Sequence, residues 1–429
     1  IKSNGAGDQS TGFYNGVATQ SLRFDRASDA YLNRTVGTAG NRRTWTFSTW
    51  LKRSGFTSAV QYIFGTNVSN NDATSANIHI GSDNTITVMP WANHFVKTNA
   101  LLRDVGAWYH IVVDFDTTQA GSANADRVNI YINGVDQTLA NGGATLSQNS
   151  EWAINLNQAN TRIGDLYGDT NELDGYLAET NFVDGLSLDA SYFGETKNGV
   201  WIPKEPDVSE YGTNGFRLKF DQAGVGTAGT STIGADTSGK TNHFTSSGIV
   251  ASDCAMPDSP ENNFCTWNPL TAGAQTTFTE GNLKLATVWS ADLSGSASTF
   301  FPESGKWYWE LRVDVGASYP YIGITTQEKT NATVNGGTNY NIAWLVGGTA
   351  ASVGSSLGTV TKENIPSFAD DDIMSFALDV DARKIWVAEN NTYADSGDPA
   401  NGSGENASWT VDVGVSPVIM GYNGQGVGT

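Results

Sequence analysis

The sequence predicts an all-β chain built as two antiparallel jelly-roll β-sandwiches in tandem, joined by an irregular connector. Helical periodicity is almost absent from it. Short apolar runs of Ile, Val, Trp, Tyr and Phe recur instead, broken by Asn, Gly and Asp. Glycine is abundant (48) and proline scarce (11), the usage of many tight turns between short strands. At 429 residues the chain exceeds one core, since domains run ~100–200 residues. With 39% hydrophobic and 11% aromatic residues it has enough apolar material to fill two cores, which excludes a disordered chain.

The first strands are expected at residues 21–24, 45–52, 62–65, 77–80, 85–89, 108–114, 127–132 and 177–183. In the second of these, Trp45, Phe47 and Thr49 alternate with Thr46, Ser48 and Trp50, so the strand has two different faces. Asn133-Gly134 marks a tight turn. A short helix is expected near residues 187–193, with Ser187 as its cap. Residues 199–275 hold Pro203, Pro206, Pro257, Pro260 and Pro269 among Gly, Ser and Asn, and read as a partly ordered connector with one clear strand at 215–220. Strands resume at 283–288, 306–315, 321–325, 342–346, 373–380, 384–388 and 418–422. The resulting division is an N-terminal segment 1–17, a sandwich 18–198, a connector 199–275 and a second sandwich 276–429. No repeat of 20–50 residues is visible, which argues against a solenoid or propeller. Both halves carry an apolar strand ending in Asp-x-Asp (Asp114 and Asp116; Asp379 and Asp381), followed by a turn and a strand opening on Arg127 or Arg383. Turn carboxylates that cap backbone N–H groups and face the arginine account for this. Trp50, Trp108, Trp309 and Phe376 sit in apolar strand patterns and are expected to be buried.

The net charge is −20, from 24 basic and 44 acidic side chains, and no basic face is visible. Nucleic acid is therefore not expected as a partner, and anionic membrane surfaces are disfavoured. No run of ~18 apolar residues is long enough for a membrane helix, and no signal-peptide pattern is found. The start at Ile1 and the Gly-rich end suggest a piece of a longer or processed polypeptide. Two cysteines, Cys254 and Cys265, make no disulfide framework or zinc site, and leave one local bridge or two inert thiols equally open.

Ser21-Leu22-Arg23-Phe24-Asp25, the run Trp45 to Lys52, Trp108-Tyr109-His110-Ile111-Val112-Val113, Val128 to Gly134, and Asp174-Gly175-Tyr176-Leu177-Ala178-Glu179 follow one another in order. In order and spacing they resemble strands of the laminin-G-like branch of the concanavalin A-like lectin/glucanase superfamily. Gly305-Lys306-Trp307-Tyr308-Trp309-Glu310, Tyr321-Ile322-Gly323-Ile324, and Asp372 to Asp381 with Lys384-Ile385-Trp386 resemble a SPRY domain, possessing no clear final strand after Val418. Within the connector, Asp236 to Thr245 and Asp258-Ser259-Pro260-Glu261-Asn262-Asn263-Phe264 resemble segments of large bacteriophage virion proteins, as do Phe193-Gly194-Glu195 and Gly199 to Lys204. That last resemblance implies a tail fibre or another particle-surface fibre.

A retaining glycosidase needs two carboxyls ~5–5.5 Å apart. The nearest approach is Glu172, Asp174 and Glu179, whose last member points to the other face unless a bulge intervenes. Glu310 and Asp314 share a face but lack a third partner. His79, His94, His110 and His243 form no metal motif, and Gly424, Gly426 and Gly428 precede no helix. Laminin-G-like domains often hold one Ca²⁺ at the rim, so the resemblance implies a site for which Asp72, Asp165 and Asp169 are candidates, with Asp370-Asp371-Asp372 as the second option. Sugar binding needs an aromatic platform among amides and carboxylates. Asn67, Asp72, Trp91, Asn93, His94, Tyr167 and Asn171 in three loops supply these groups, Trp91 being the best candidate for an exposed aromatic.

These readings combine into a non-enzymatic, extracellular virion-surface protein, a phage tail fibre or receptor-binding protein recognising a host-surface glycan or protein. Neighbouring virion proteins are its other partners, and it is expected to be a homotrimer touching through residues 201–206 and 264–270. A structural decoration protein with no host ligand and a glycan depolymerase are the alternatives.

Overall fold

The computed structural model describes residues 12–57, 59–91, 94–121, 123–143, 146–167, 170–273, 275–287, 295–314, 321–327, 341–345, 348–352 and 356–420. The chain is all-β: every strand pair is antiparallel, and the described helical segments are single 3₁₀ turns. It divides into one unit of Thr11–Asn263 and another carrying Phe264–Thr429.

Two sheets form the first unit. The seven-stranded sheet runs Leu22–Phe24, Gly175–Asp184, Thr44–Arg53, Trp108–Asp116, Val128–Ile132 and Val135–Asp136, with Phe216–Leu218 also on Gly175–Asp184. The eight-stranded sheet runs Leu139–Gly143, His94–Thr98, Ile86–Pro90, Ser75–Ile80, Gln61–Asn67, Asn160–Ile163, Tyr31–Thr35 and Thr245–Ser247. The alternation read in the sequence sorts the side chains: Trp45, Phe47 and Leu51 join the main core with Phe64, Ile78, Val88 and Ile111. Trp50 takes the opposite face, in a second cluster with Trp108 and Tyr176.

The second unit has a five-stranded sheet (Gly295–Ala297, Val415–Met420, Tyr321–Thr326, Ile342–Leu345, Ala350–Ser352). Its other large sheet runs Lys306–Arg312, Ile373–Asp379, Lys384–Glu389, Ala407–Trp409 and Val360–Lys362, with Thr392–Tyr393 on Lys384–Glu389. Their core centres on Trp309 stacked on Phe376 at 5.0 Å, with Trp344, Ile322, Ile385 and Ile419. All four aromatics expected to be buried are buried.

The structure corrects several expectations. Residues 199–263 are no loose connector: Phe216–Leu218 and Thr245–Ser247 add strands to the two sheets of the first unit, and Phe216, Phe220, Ile233, Phe244 and Ile249 enter its core. Their Gly, Pro and Asn mark turns, but turns do not report whether the apolar residues between them are anchored. The helix near residue 190 is one 3₁₀ turn, Ala190–Tyr192, capped by Asp189 rather than Ser187. The Asp-x-Asp turns cap N–H groups as expected: Asp116 takes Thr118 N at 3.0 Å and Asp379 takes Ala382 N at 2.8 Å. Arg127, however, donates to backbone carbonyls, those of Gln119 at 3.1 Å and Leu146 at 2.9 Å. Cys254 and Cys265 are both free and buried. In the segments expected to touch other chains, Trp201, Ile202 and Trp267 pack inside their own units, while Leu270 is exposed.

Candidate ligand-binding face

The eight-stranded sheet turns one face to the core. By the alternation of strand side chains, the other face carries the partners of each register row. One row runs Thr245–Asn33–Arg162–Gly65–Asn77–Met89 across six strands. Asn160 and Asn67 lie two residues further along their strands. The outer face of these strands thus gathers amides around Arg162, with the Lys97–Asp83 ion pair further along the sheet.

The segment after Asn160–Ile163 folds back over this field. Gly164 N donates to Ile63 O (2.9 Å), Asn67 Nδ2 to Tyr167 O (2.7 Å), and Tyr62 N to Asn171 O (3.0 Å). Leu173 N returns to Gly164 O at 2.8 Å. Leu166, fully buried, sits over Gly65, where an added Cβ would come within 2.8 Å of Leu166 Cδ1. The glycine therefore makes room for the loop.

Arg162 lies between two phenol rings, its Cζ 3.8 Å from the Tyr31 centroid and 4.9 Å from that of Tyr167. Its Nη1 pairs with buried Asp165. The Tyr167 ring is 45% exposed, an aromatic platform on an amide-rich face. Among the described residues, Asn33 Oδ1, Asn67 Oδ1, Asn160 Oδ1 and Arg162 Nε are buried with no hydrogen-bond partner. Ser75 Oγ, opposite Asn67, is a fifth. Buried polar groups in folded proteins are paired in the great majority, so a cluster of such atoms on one face calls for a ligand or water. At the margin, Arg26 donates to Asn171 Oδ1 (3.3 Å) and lies 4.0 Å from Glu172. Burial, with Asp165 and Asp29 nearby, pushes the Glu172 carboxyl up. His79 is also on this sheet; its Nδ1 meets Asn77 Oδ1 at 2.7 Å and burial lowers it to about 4, so it is neutral near pH 7.

Of the residues singled out in the sequence, Asn67, Tyr167, Asn171 and Asp165 come together here. Half-buried Trp91 lies just past the end of the strand Ile86–Pro90. Asp72 is on the turn after Asn67. Asn93 and Asp169 lie outside the described residues, as does the side chain of His94. Among the described residues no group of three His, Cys, Asp or Glu could hold a metal ion. Asp165 is instead committed to Arg162, and Asp372 caps a turn, taking Ala369 N and Asn390 Nδ2.

Tyr31, Asn33, Asn160 and Arg162 were missed. Their strands are short and polar, and only a period-two reading of residues 31–35 and 160–163 would have placed them on one face.

Of the carboxylates weighed for hydrolysis, Glu172 sits at this margin, while Asp174 and Glu179 lie elsewhere. A bulge does interrupt Gly175–Asp184 between Ala178 and Asn181, with Glu179 at φ 45°. Glu179 is buried and receives Arg217 Nε at 2.5 Å, and the same guanidinium reaches Glu205 at 2.9 Å. Burial raises Glu179 to about 7. Asp174 accepts from Ser54 Oγ at 2.9 Å.

Residues 26–189 match the family model of the Concanavalin A-like lectin/glucanases superfamily. This part of the chain takes a concanavalin A-like, laminin-G-like sandwich fold. A putative carbohydrate-binding protein of Bacteroides ovatus is similar at 17% identity, over 54% of this chain and 58% of that one, with a TM-score of 0.34. The mouse laminin alpha1 chain, domains LG4-5, is similar at 10% identity over 96% and 89%, with a TM-score of 0.30. The SPRY domain of human HERC1 is similar at 17% identity over 38% and 94%, with a TM-score of 0.28. No curated protein sequence matches the chain.

Proposed function

We propose that this chain binds a glycan without cleaving it, through the outer face of the eight-stranded sheet. One observation carries the reading: three amide oxygens and one guanidinium nitrogen lie buried and unpartnered around the exposed Tyr167 ring. Sugars present hydroxyls that satisfy amides, and an apolar ring face that stacks on an aromatic. The lectin-like fold of residues 26–189 supports ligand binding as such. Glu172, Asp174 and Glu179 are each engaged by neighbouring protein groups, which supports binding without hydrolysis.

The likeness of residues 236–245 and 258–264 to bacteriophage virion segments supports the finer reading: a tail fibre or receptor-binding protein on the virion surface, with host-surface glycan and neighbouring virion chains as partners. Fibres gain avidity by tethering identical weak sites, so this reading includes a homotrimer. A glycan array and a reducing-sugar assay on the same preparation test the function. Saturable binding without sugar release is expected. Release that is abolished by Glu179→Gln would make the chain a depolymerase.

A further inference from the structure

The open face of the eight-stranded sheet is short of donors. Among the described residues, Asn33, Asn67 and Asn160 each hold one unpartnered amide oxygen, and Ser75 an unpartnered hydroxyl. Against these stands one unpartnered donor nitrogen, Arg162 Nε. Asn67 is fixed as an acceptor, because its Nδ2 already donates to Asn70 Oδ1 (2.9 Å) and Tyr167 O (2.7 Å). Its register partner on the next strand is Ser75. The cations nearby are already matched: Arg162 pairs with Asp165, Arg26 lies 4.0 Å from Glu172, and Lys97 pairs with Asp83 at 2.8 Å. Burial, Asp165 and Asp29 push the Glu172 carboxyl up, and a carboxylate arriving at this margin meets the same acidic neighbours.

We propose that the glycan bound on this face is a neutral, hydroxyl-rich sugar, and that the face discriminates against uronic, sialic and sulfated sugars. This rests on the glycan reading above and narrows it to one chemical class. A sugar hydroxyl donates to an amide oxygen and can also accept from Arg162 Nε. A carboxylate or sulfate only accepts. It can serve the single arginine N–H, but it sets oxygen lone pairs against the amide oxygens beside it. Asp165 already offsets the arginine charge, so an anionic ligand gains no net counter-ion and meets like charge instead. The net charge of −20 repels polyanions at longer range.

An array of matched pairs, probed with the full chain, tests this: neutral oligosaccharides beside their uronic, sialylated and sulfated counterparts, read at about 50 and about 500 mM NaCl. Neutral members bind, and their anionic counterparts bind about tenfold more weakly or worse. The neutral affinities change less than about twofold with salt, because no ion pair forms on binding. Asp165→Asn removes the counter-charge of Arg162 and raises the anionic members relative to the neutral ones. Preference of the wild type for the anionic member of a pair overturns the neutral-sugar assignment and leaves the glycan reading standing. So does a neutral affinity that falls severalfold at high salt, or an unchanged ratio in Asp165→Asn at a wild-type thermal midpoint. Silence across the whole array removes the glycan reading, and this inference with it.

Discussion

The two sheets of the first unit treat their outer faces in opposite ways. On the seven-stranded sheet, residues 194–263 plug the face and satisfy most of its polar groups, although Trp50 Nε1 and Glu179 Oε2 stay buried without a partner. Lys52, fully buried, donates to Asp258 (2.8 Å) and Asn263 (2.9 Å), and Trp108 Nε1 donates to the other Asp258 oxygen at 3.0 Å. Arg23 binds Asp253 through two nitrogens, at 2.9 and 2.6 Å. His110 stacks between Trp50 and Trp201, taking the Trp201 Nε1 proton on Nδ1 (3.0 Å) and meeting Ser48 through Nε2 (2.9 Å). The eight-stranded sheet also carries an arginine, tyrosines and amides, yet among its described residues Asn33, Gln61, Asn67, Ser75, Asn160 and Arg162 each leave one buried side-chain atom unpartnered. Saturated polar burial holds a fold together, whereas unsaturated polar burial on one face marks where something else binds.

The largest expected effect is on the plugged face. Asp258→Ala removes the counter-charge of a buried ammonium and the acceptor of an indole N–H, a loss of ~3–5 kcal/mol by chemical denaturation. Asn67→Ala, on the open face, removes two hydrogen bonds and one unpartnered oxygen, and should cost only ~1 kcal/mol. Equal costs would erase the distinction between the faces.

Acid sharpens the comparison. Burial lowers His110 from 6.5 to about 3 and His79 from 6.5 to about 4. Below pH 6.5 the unfolded chain takes up these two protons and the folded chain does not, so stability falls as the pH drops toward 4. Glu179 opposes this: raised from 4.5 to about 7, it binds a proton in the folded chain across that interval and loses stability as the pH rises. Two histidines against one glutamate leave a net loss on acidification. The denaturation midpoint should therefore drop between about pH 7 and pH 5, and drop more steeply in Glu179→Gln, where the opposing group is gone. A midpoint that rises on acidification would contradict this assignment of neutral histidines.

The strands with clean alternation were legible in the sequence, because Trp45, Phe47 and Leu51 report their face locally. The plug was not. Residues 236–245 and 258–264 showed only a likeness, yet their polar side chains are staples. The Asp236 carboxylate takes the N–H groups of Arg217 (2.9 Å), Ser238 (2.8 Å) and Asn242 (2.8 Å). Glu261 takes those of Gly16, Val17 and Ala18 at 2.9, 2.8 and 3.0 Å. No local pattern reveals that Glu261 meets Val17, or that Asp258 meets Lys52. The binding face was half legible: Asn67 and Tyr167 stood out as loop residues of sugar-binding type. Arg162 and Tyr31 read as ordinary polar strand residues until pairing set them side by side.

The smallest change with the most to say is at Tyr167, whose ring is exposed and whose loss should leave the fold intact. Calorimetric titration of the best glycan from the array into the wild type and Tyr167→Ala tests the central claim. Removing the stacking ring should weaken binding about tenfold or more, at an unchanged thermal midpoint. Equal affinity in the two proteins would show that the outer face of the eight-stranded sheet is not where the ligand sits.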